Sequence, residues 1–420
     1  MSIELPPSAA PRAAHPVTAL PERVRRRLLD RSAAGPGPLA AYLYDPETAA
    51  GRARELRAAL PPWAAVYYAV KANSFPGVLH GLAPHVDGFE VASRSELALA
   101  LEALAGRAGR ADGGPVPVVA AGPAKTVPVL TDLITAGAEA INAESLLELH
   151  RISRIAAGLG TTARVALRVN PERIPVTGSL HMGGVPSQFG VAEPDVPQVL
   201  EQARKLPGVE LTGFHIHAAS NNLDAAAHAD YLRWCMTWSG ATAAAHGIEL
   251  RQIDIGGGIG VDFDGEQSFD TARFGELIAA TPPPAGARVL LEPGRFLVTD
   301  CGWYAAEVTD VKHSFGQWFV MLRGGINHFQ LPTSWDLVHN IAVLPVPEWG
   351  EPGSPRPAAE NTRVTVVGEL CTPEDTLLRD VHVERVRAGD LVVFPRAGSY
   401  GWEFAMPHFL GHPPAERLLL

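Results

Sequence analysis

The pattern of apolar positions divides the chain into two parts. From about Tyr42 to Leu297, short β-rich runs alternate with Ala/Leu/Glu-rich stretches of helical spacing. The predicted strands are Ala64–Val70, Val86–Val91, Val116–Ala121, Ala138–Asn142, Arg164–Asn170, Leu211–His217, Gln252–Ile255 and Arg288–Leu291. The predicted helices include Ser93–Leu104, Lys125–Ala136, Ala143–Ala157, Val196–Lys205 and Ala225–His246. This alternation implies parallel strands joined by helical crossovers.

Eight such units over about 250 residues is the size of a (β/α)8 barrel. We therefore predict an α/β fold with a TIM barrel at residues 42–297. A doubly wound open sheet is the alternative architecture, because it produces the same alternation of elements.

The pattern changes after Pro293. The runs Val298–Val311, Trp318–Leu322, Thr362–Val367 and Leu391–Phe394 have strand character, with few helical stretches between them. Pro345–Asn361 has the composition of a surface loop. Residues 298–420 are therefore predicted to form a mostly antiparallel β-sandwich or barrel domain.

Residues 1–41 are predicted to be a flexible extension and a lead-in segment that packs on the C-terminal domain. The part up to Thr18 is rich in Pro and Ala. Arg23–Arg31 carries five arginines on a short predicted helix, for which a solvated face is favoured over an anionic partner. Gly106–Gly114 is predicted to be a flexible barrel loop.

Composition narrows the class of protein. With 420 residues, 46% hydrophobic and 19% charged, the chain is globular rather than disordered. A net charge of -10 offers no basic surface for nucleic acid. Three cysteines are too few for a disulfide framework and lack zinc-site spacing, so we expect a cytoplasmic protein. No apolar run reaches the length of a membrane span.

Polar residues occur where several predicted strands end. Lys71 follows the first strand, His217 ends the sixth, Asp254–Gly260 follows the seventh and Glu292 ends the eighth. In a barrel the carboxyl ends of the strands surround the functional face. We therefore expect these four features to share one rim.

Each feature also has a structural interpretation. Lys71 alone could be a solvated surface charge. Gly256, Gly257 and Gly258 could form only a tight turn; they lack dinucleotide-fold spacing, but their amides, with Ser220, suit a phosphate. Of His215 and His217 we expect one in the core and one at the site, rather than a metal pair.

Glu292 precedes a proline at a buried strand end, where a carboxylate is costly unless it meets a cation or donor. A protonated pyridine nitrogen would be such a partner, although Arg295 could serve instead. Lysine, anion site, carboxylate and imidazole together describe a site for pyridoxal phosphate. These pieces leave open whether CO2, a proton or a side chain leaves the substrate.

The sequence resembles the alanine-racemase-fold (fold type III) amino-acid decarboxylases, the group of ornithine and diaminopimelate decarboxylases. The resemblance runs from about Tyr42 to the C-terminus. It rests on the segments Tyr68–Asn73, Gly88–Ser93, Ile141–Ser145, Asp254–Gly258, Glu292–Arg295, Gly368–Cys371 and Gly398–Tyr400.

The resemblance implies a role for each matching residue. Lys71 forms the Schiff base with the cofactor, His217 stacks on its ring and Glu292 pairs with its nitrogen. The phosphate ligands and their neighbours are Ser220, Gly256, Gly257, Gly258, Gly294, Arg295 and Tyr400. Cys371 enters the site from the neighbouring protomer and returns a proton after CO2 leaves. The implied assembly is a homodimer with shared active sites and no resident metal.

Departures from the family pattern bear on the substrate. Ala219 replaces a usual glycine, and Gln188 replaces a frequent lysine. Thr372 follows Cys371 where ornithine-type enzymes carry an acidic residue that clamps a distal ammonium. The Cys-Thr-Pro-x-Asp version resembles the branch that acts on conjugated amino acids, including siderophore-pathway citryl-diaminopropionate decarboxylases. Candidates for substrate contact are Thr372, Asp375, Arg323, His181 and His328.

The leading hypothesis is a pyridoxal-phosphate-dependent decarboxylase of a citryl-diaminopropionate type of substrate. The alternative is a diaminopimelate or basic amino-acid (ornithine or lysine) decarboxylase. A non-catalytic regulatory homologue is disfavoured because Lys71, Glu292, Cys371 and Tyr400 are retained. A racemase is disfavoured by the C-terminal segments Gly368–Cys371 and Gly398–Tyr400.

Overall fold

The computed structural model describes residues 19–35, 37–105, 114–174, 180–181, 184–263, 265, 267–284, 286–331 and 340–420. They belong to two compact units. One is Asp45–Cys301, and the other combines Met1–Tyr44 with Gly302–Leu420. The sequence prediction set the corresponding barrel limits at residues 42 and 297. The extension predicted at residues 1–18 and residues 106–113 of the predicted loop lie outside the described residues.

The elements are numbered along the chain. The helices are α1 Glu22–Ala34, α2 Pro46–Ala59, α3 Pro76–Leu82, α4 Arg94–Ala105, α5 Val127–Ala136, α6 Leu146–Gly158, α7 Val196–Ala203, α8 Ala225–His246, α9 Thr271–Ala279 and α10 Gly294–Val298. The strands are β1 Ala40–Tyr44, β2 Ala64–Ala69, β3 Gly88–Val91, β4 Val116–Ala120, β5 Ala138–Ala143, β6 Ala163–Asn170, β7 Leu180–His181, β8 Val191–Ala192, β9 Val209–His215, β10 Ala219–Ser220, β11 Gln252–Asp254, β12 Arg288–Leu291, β13 Gly302–Ser314, β14 Gln317–Leu322, β15 Ala342–Leu344, β16 Ala358–Val367, β17 Thr376–Arg387, β18 Leu391–Phe394 and β19 Glu416–Leu419.

The unit Asp45–Cys301 is built on a closed ring of eight parallel strands. Their order is β5-β4-β3-β2-β12-β11-β9-β6, and β5 also pairs with β6, which closes the ring. The barrel prediction is therefore confirmed. The open doubly wound sheet is wrong, because such a sheet would leave two of these strands at edges.

The barrel strands are short and buried, which explains why the sequence shows them as apolar runs. Strand β2 is buried along its whole length, as expected of a parallel strand covered on both faces. Side chains from alternate positions fill the interior: Ala65, Tyr67, Val119, Ala140 and Leu290 pack together. The ring is therefore a packed core whose strand ends can present polar residues.

The other unit is a mostly antiparallel sheet with the order β15-β18-β13-β14-β16-β17. Strand β1 pairs antiparallel with β13 and parallel with β19. Helix α1 packs on this sheet through Val24 and Leu28, which join a core with Leu43, Trp303 and Val393. The arginines at positions 23, 25, 26 and 27 are exposed, as the i, i+4 spacing of its two buried residues requires.

Two predictions for the C-terminal third of the chain were wrong, and one strand was missed. The run Val298–Val311 is helical up to Cys301, and the strand starts at Gly302; a fully buried run does not distinguish a short helix from a strand. The loop predicted to end at Asn361 gives way to β16 at Ala358. Strand β17 was not predicted, because its apolar positions are sparse and its pairing with β16 defines it.

Helix α8 carries a buried histidine that makes the fold sensitive to acid. The ring of His228 is 1% exposed and lies against Phe269, Phe274 and Tyr231. Burial lowers the pKa of His228 to about 4. The unfolded chain takes up this proton at about pH 6.5. The contribution of neutral His228 is thus complete above about pH 6.5 and is lost as the pH falls towards 4.

When the pH is lowered from about 7 to about 5, we expect the free energy of unfolding to fall less for His228→Leu than for the wild type. The difference should be about 2 kcal/mol, from the two pKa values. Chemical denaturation of both proteins at the two pH values measures it. An equal loss of stability in both proteins would show that His228 is not responsible.

Among the described residues, no helix is long and apolar enough to cross a membrane.

Candidate active site

Lys71 lies just beyond strand β2, in a 3-10 turn at Val70–Ala72. Its Nζ is 2.6 Å from Glu90 Oε2. The Glu90 side chain is 1% exposed, whereas that of Lys71 is 42% exposed. An amine therefore stands at the carboxyl end of the barrel, held by a buried carboxylate but open to small molecules. Glu90 has no predicted role. The feature that marks it in the sequence is its carboxylate inside the buried run Gly88–Val91.

Two buried carboxylates end the neighbouring strands. Asp254 is the last residue of β11, and Glu292 directly follows β12. Carboxylate oxygens of the two side chains lie within 4.8 Å of each other, so each group affects the pKa of the other. Asp254 also accepts from Asn142 Nδ2 at 3.3 Å and from the Gly256 amide at 2.9 Å. Glu292 Oε1 is buried, and the described residues provide it no hydrogen-bond partner.

Burial makes ionisation of both groups costly. It raises the pKa of Glu292 well above its usual range, and the Asp254 and Glu90 charges raise it further. Burial likewise raises the pKa of Asp254. The raised pKa values favour the protonated form of the pair, and a cationic or N–H group beside the unpartnered oxygen would be stabilised.

The two histidines of the sixth strand lie side by side. Strand β9 ends at His215, and the His215 and His217 ring centroids are 6.4 Å apart with 23° between planes. His215 is 1% exposed and His217 is half-buried, and the assignment of one to the core and one to the site stays a prediction. The rings lie side by side because residues two apart in an extended segment share a face. His215 Nε2 is 3.8 Å from Glu292 Oε2, so it belongs to the carboxylate cluster.

His217 is held neutral. Its Nδ1 accepts a hydrogen bond from the Gly257 amide at 3.0 Å, which places the ring proton on Nε2. Burial lowers the His217 pKa well below its usual range, and the positive charge of Lys71 lowers it further. The imidazole therefore presents an uncharged flat face.

The glycine segment after β11 is shaped by its neighbours. A Cβ at Gly256 would lie 2.1 Å from His217 Nδ1, and one at Gly257 would lie 2.6 Å from the Glu292 carbonyl oxygen. Gly256 also has φ +68. The Gly256 and Gly257 amides are donated to Asp254 and His217. These glycines thus allow the segments of the rim to pack closely. The absence of side chains would also let an anion approach the backbone.

Ser220 lies beside the end of the glycine segment. The next two residues along the chain, Asn221 and Asn222, form hydrogen bonds with residues at the end of the glycine segment or just after it. Asn221 Oδ1 accepts from the Val261 amide at 3.0 Å, and the Asn222 amide donates to the Gly258 carbonyl at 2.8 Å. The predicted Ser220 and glycine positions are therefore brought together.

Arg295 lies in α10, which begins directly after Glu292 and Pro293. It is 5% exposed, and its guanidinium carbon lies 5.9 Å from the centre of the Phe263 ring. A Cβ at Gly294 would lie 3.0 Å from Ala72 Cβ. The absence of that side chain lets α10 approach the turn that carries Lys71.

A buried arginine near these groups escaped the sequence interpretation. Arg168 is 4% exposed, its Nη1 is 2.8 Å from Glu144 Oε1, and its guanidinium lies 4.6 Å from the Phe189 ring centre. Its positive charge contributes to lowering the pKa of His215. The feature that marks Arg168 in the sequence is its position inside the apolar run Arg164–Asn170, where a charged side chain needs a buried partner.

His215, Asp254 and Glu292 also bring ligand atoms within 4.8 Å of one another, close enough for a metal ion. Burial raises the pKa of both Asp254 and Glu292, which disfavours the two charged carboxylates a metal would bind, and Glu292 retains one unpartnered oxygen. A heterocyclic nitrogen beside that oxygen could take a proton from the carboxyl group and then donate an N–H bond back to it. The donor set therefore fits a protonated heterocycle.

The remaining predicted residues lie in the β unit. Cys371 is exposed and Thr372 is half-buried. Asp375 is 2% exposed, and its oxygens accept from the Ile326 amide at 2.8 Å and the Leu370 amide at 2.7 Å. Asp375 thus braces the turn that carries Cys371, a structural use of its carboxylate.

The other substrate candidates have partners within this unit. Arg323 forms an ion pair with Glu369. His328 is buried, and its Nε2 is 2.8 Å from the Pro413 carbonyl oxygen. The side chain of His181 lies outside the described residues. Tyr400 is half-buried with φ +64, and its ring packs on Phe404.

Comparison with known proteins places these residues in a family context. The family "Pyridoxal-dependent decarboxylase, pyridoxal binding domain" matches residues 48–299. The chain is 34% identical over 403 residues to a 2-[(L-alanin-3-ylcarbamoyl)methyl]-2-hydroxybutanedioate decarboxylase of Staphylococcus aureus, covering 95% of this chain and 98% of that protein. It is 32% identical to an L-glutamyl-[BtrI acyl-carrier protein] decarboxylase of Niallia circulans, covering 90% and 88%.

A similar solved structure is diaminopimelate decarboxylase from Helicobacter pylori complexed with L-lysine. Its TM-score is 0.80 at 27% identity, and the match covers 94% of this chain and 93% of that one.

Proposed function

This chain belongs to the pyridoxal-dependent decarboxylase family, and we propose that it removes the α-carboxylate of a citryl-diaminopropionate type of conjugate in siderophore biosynthesis. The observation that carries the chemistry is the buried Glu292 carboxylate with an unpartnered oxygen, on the rim that also holds Lys71. The observation that favours the conjugate is the extent of similarity to the Staphylococcus aureus relative.

The rim residues fit pyridoxal phosphate. When bound, the cofactor supplies an electron-accepting ring, so that the bond to the α-carboxylate breaks and CO2 leaves. Lys71 would hold the cofactor aldehyde, because its amine is partly exposed and already oriented by Glu90. His217 would support the ring through its neutral face.

Glu292 has the properties needed beside the ring nitrogen. In the cofactor-free protein burial raises its pKa and so favours its protonated form. A basic nitrogen next to Oε1 would take that proton and leave a carboxylate as its ion-pair partner. Glu292 would in this way hold a positive charge on the ring, which the electron-accepting chemistry of the cofactor needs.

The phosphate is assigned to residues that can offer N–H or O–H groups or a cation. Arg295 supplies the charge, and Ser220, Gly258 and Tyr400 are the remaining donor candidates. The amides of Gly256, Gly257 and Gly294 are already donated to Asp254, His217 and the Glu292 carbonyl oxygen, so these glycines would serve only by letting the backbone approach closely. An arginine fork matches phosphate oxygens in geometry as well as charge.

The β unit bears on the choice of substrate. The substrate named for the Staphylococcus aureus relative joins citrate by an amide to the side-chain nitrogen of diaminopropionate. It has no distal ammonium and retains two citryl carboxylates. Thr372 suits it, because an acidic residue there would repel these carboxylates. Arg323 would meet one only in competition with Glu369.

Diaminopimelate decarboxylation is the second candidate. It is favoured by the similarity to the Helicobacter pylori enzyme over nearly the whole chain. That substrate carries a distal ammonium, for which Thr372 offers no charge.

A substrate panel tests the proposal. The purified protein, loaded with pyridoxal phosphate, is assayed for CO2 release from citryl-diaminopropionate, meso-diaminopimelate, lysine and ornithine. We expect kcat/KM for the conjugate to exceed the others by at least about 10²-fold, since a misplaced charge leaves buried groups unpaired. Preference for meso-diaminopimelate would establish the alternative.

Cys371 is the proposed donor of the proton that replaces CO2 on the α-carbon. Its thiol is exposed in the β unit, and the family resemblance implies that it serves the partner's site in a homodimer. We expect Cys371→Ala to bind the cofactor normally and to lower kcat by about 10²-fold, the usual contribution of one proton donor. Absorbance titration and stopped-flow turnover measure the two effects.

Sharing of sites has its own test. Cys371→Ala and Lys71→Ala proteins, each nearly inactive, are mixed and allowed to exchange subunits. Half the resulting dimers are mixed, and each mixed dimer has one intact site, so about a quarter of the wild-type activity should return. No recovery despite demonstrated exchange would place Lys71 and Cys371 of one chain in the same site.

A further inference from the structure

Tyr231 on helix α8 reaches the segments that carry His217 and the glycines. It is 1% exposed. Its hydroxyl lies 2.6 Å from the Ile216 carbonyl oxygen and 3.3 Å from the Ile255 carbonyl oxygen. The same oxygen accepts from the Ala218 amide at 3.2 Å. Burial raises the Tyr231 pKa well above its usual range, so the hydroxyl keeps its proton.

These bonds lie just past the barrel ladder. Strand β9 ends at His215 and strand β11 ends at Asp254. The carbonyls of Ile216 and Ile255 therefore lie beyond the paired strands, in buried surroundings where an unpaired backbone group is costly. The single proton of the tyrosine hydroxyl is shared between them, with the shorter bond to Ile216.

The consequence is a linked pair of loops. His217 lies between Ile216 and Ala218, and Gly256 follows Ile255, so the hydroxyl joins the starts of both loops. In the middle, the Gly257 amide donates to His217 Nδ1. At the far end, the Gly260 amide donates to the Asn222 carbonyl at 2.8 Å.

We propose that Tyr231 is a positioning residue for the cofactor: its hydroxyl holds the His217 and Gly256–Gly258 loops together as one preformed surface. The effect of this linkage on cofactor binding rests on the proposed function. The hydrogen bonds that link the loops are present in the cofactor-free protein. Preformed loops bind more tightly because less ordering is needed on binding.

The test compares Tyr231→Phe with a matched control. The variant keeps the buried ring and removes only the hydroxyl. Tyr67→Phe is the control, because Tyr67 is also a buried barrel tyrosine and its hydroxyl bonds to Glu139, near the amino ends of the strands. In the cofactor-free protein, hydrogen exchange is measured for peptides covering residues 214–222 and 252–261.

We expect Tyr231→Phe to speed exchange in both peptides by about tenfold and to raise the dissociation constant of pyridoxal phosphate by about tenfold, as for one lost hydrogen bond. Tyr67→Phe should lower the melting temperature and change neither quantity. KM and kcat of the loaded variant are measured at saturating cofactor, where most of the activity should return.

Unchanged exchange in Tyr231→Phe, or an equal change in Tyr67→Phe, would overturn the inference. If the wild type itself does not bind pyridoxal phosphate, the proposed function fails. The exchange measurement then still decides whether Tyr231 links the two loops.

Discussion

Replacing Lys71 with alanine should reduce turnover to background and abolish the visible absorption of lysine-linked cofactor. Lys71 Nζ is the amine at the carboxyl end of β2, held by Glu90 at 2.6 Å. Without this amine the covalent link at the end of β2 cannot form, and the substrate amine would have to react with a loosely bound aldehyde. Absorption spectra and CO2 release measure the two effects.

The control separates chemistry from folding. Lys71→Ala leaves the buried Glu90 carboxylate without its ion pair, which is itself destabilising. The double variant Lys71→Ala/Glu90→Gln removes that unpaired charge and should recover thermal stability but not absorption. Lys205→Ala, at an exposed lysine that pairs with Glu201, should behave as wild type. A Lys71→Ala protein that kept both signals would refute the cofactor assignment.

Glu292→Gln should lower kcat by about 10²–10³-fold, the usual effect of removing one preorganised electrostatic group. The amide is close in shape to the carboxyl group but cannot give up a proton to, or form an ion pair with, a ring nitrogen. Cofactor should still bind, because Lys71 and the phosphate ligands are unchanged. Single-turnover rates and a cofactor titration measure the two quantities.

The stability of the cofactor-free protein gives this prediction a second readout. Because the pKa of Glu292 is raised, the wild-type fold must keep a proton that the unfolded chain releases above about pH 4.3. Glutamine removes that cost, so the variant should be at least as stable at neutral pH. Glu307→Gln, a half-buried carboxylate in the β unit, is the control for kcat. A fully active Glu292→Gln would contradict the role of the carboxylate.

The sequence was sufficient for the barrel and for much of its rim. Parallel strands buried on both faces appear as apolar runs, and the first residues past them are conspicuous when charged. Lys71, His217 and Glu292 were predicted in this way, and the structure places them at the strand ends. The alternation of strands and helices also fixed the fold class, although closure of the ring depends on the β5–β6 pairing, which no local pattern contains.

What the sequence missed depends on partners distant along the chain. Glu90 and Arg168 look like isolated charges in apolar runs until Lys71 and Glu144 are placed beside them. Tyr231 looks like an ordinary core residue of an amphipathic helix, because only the folded chain shows the loop carbonyls that its hydroxyl meets.

The β unit was harder to predict for a related reason. Strand β17 has several charged residues and few buried ones, so its sequence lacks the apolar pattern of a strand. Its antiparallel hydrogen bonding with β16 defines it in the structure. Asp375 resembled a substrate ligand in sequence, whereas in the structure its oxygens accept from two backbone amides. Gly325 and Gly368 make room for it, since a Cβ at either would lie about 2 Å from the carboxylate.

Carbon labelling tests the central claim most directly. Citryl-diaminopropionate labelled with ¹³C in the α-carboxylate of its diaminopropionate part is incubated with the loaded protein in D2O. The account predicts that the label appears in CO2 and that the product carries one deuterium on the former α-carbon. Label retained in the organic product, or CO2 drawn from the citryl carboxylates, would contradict it.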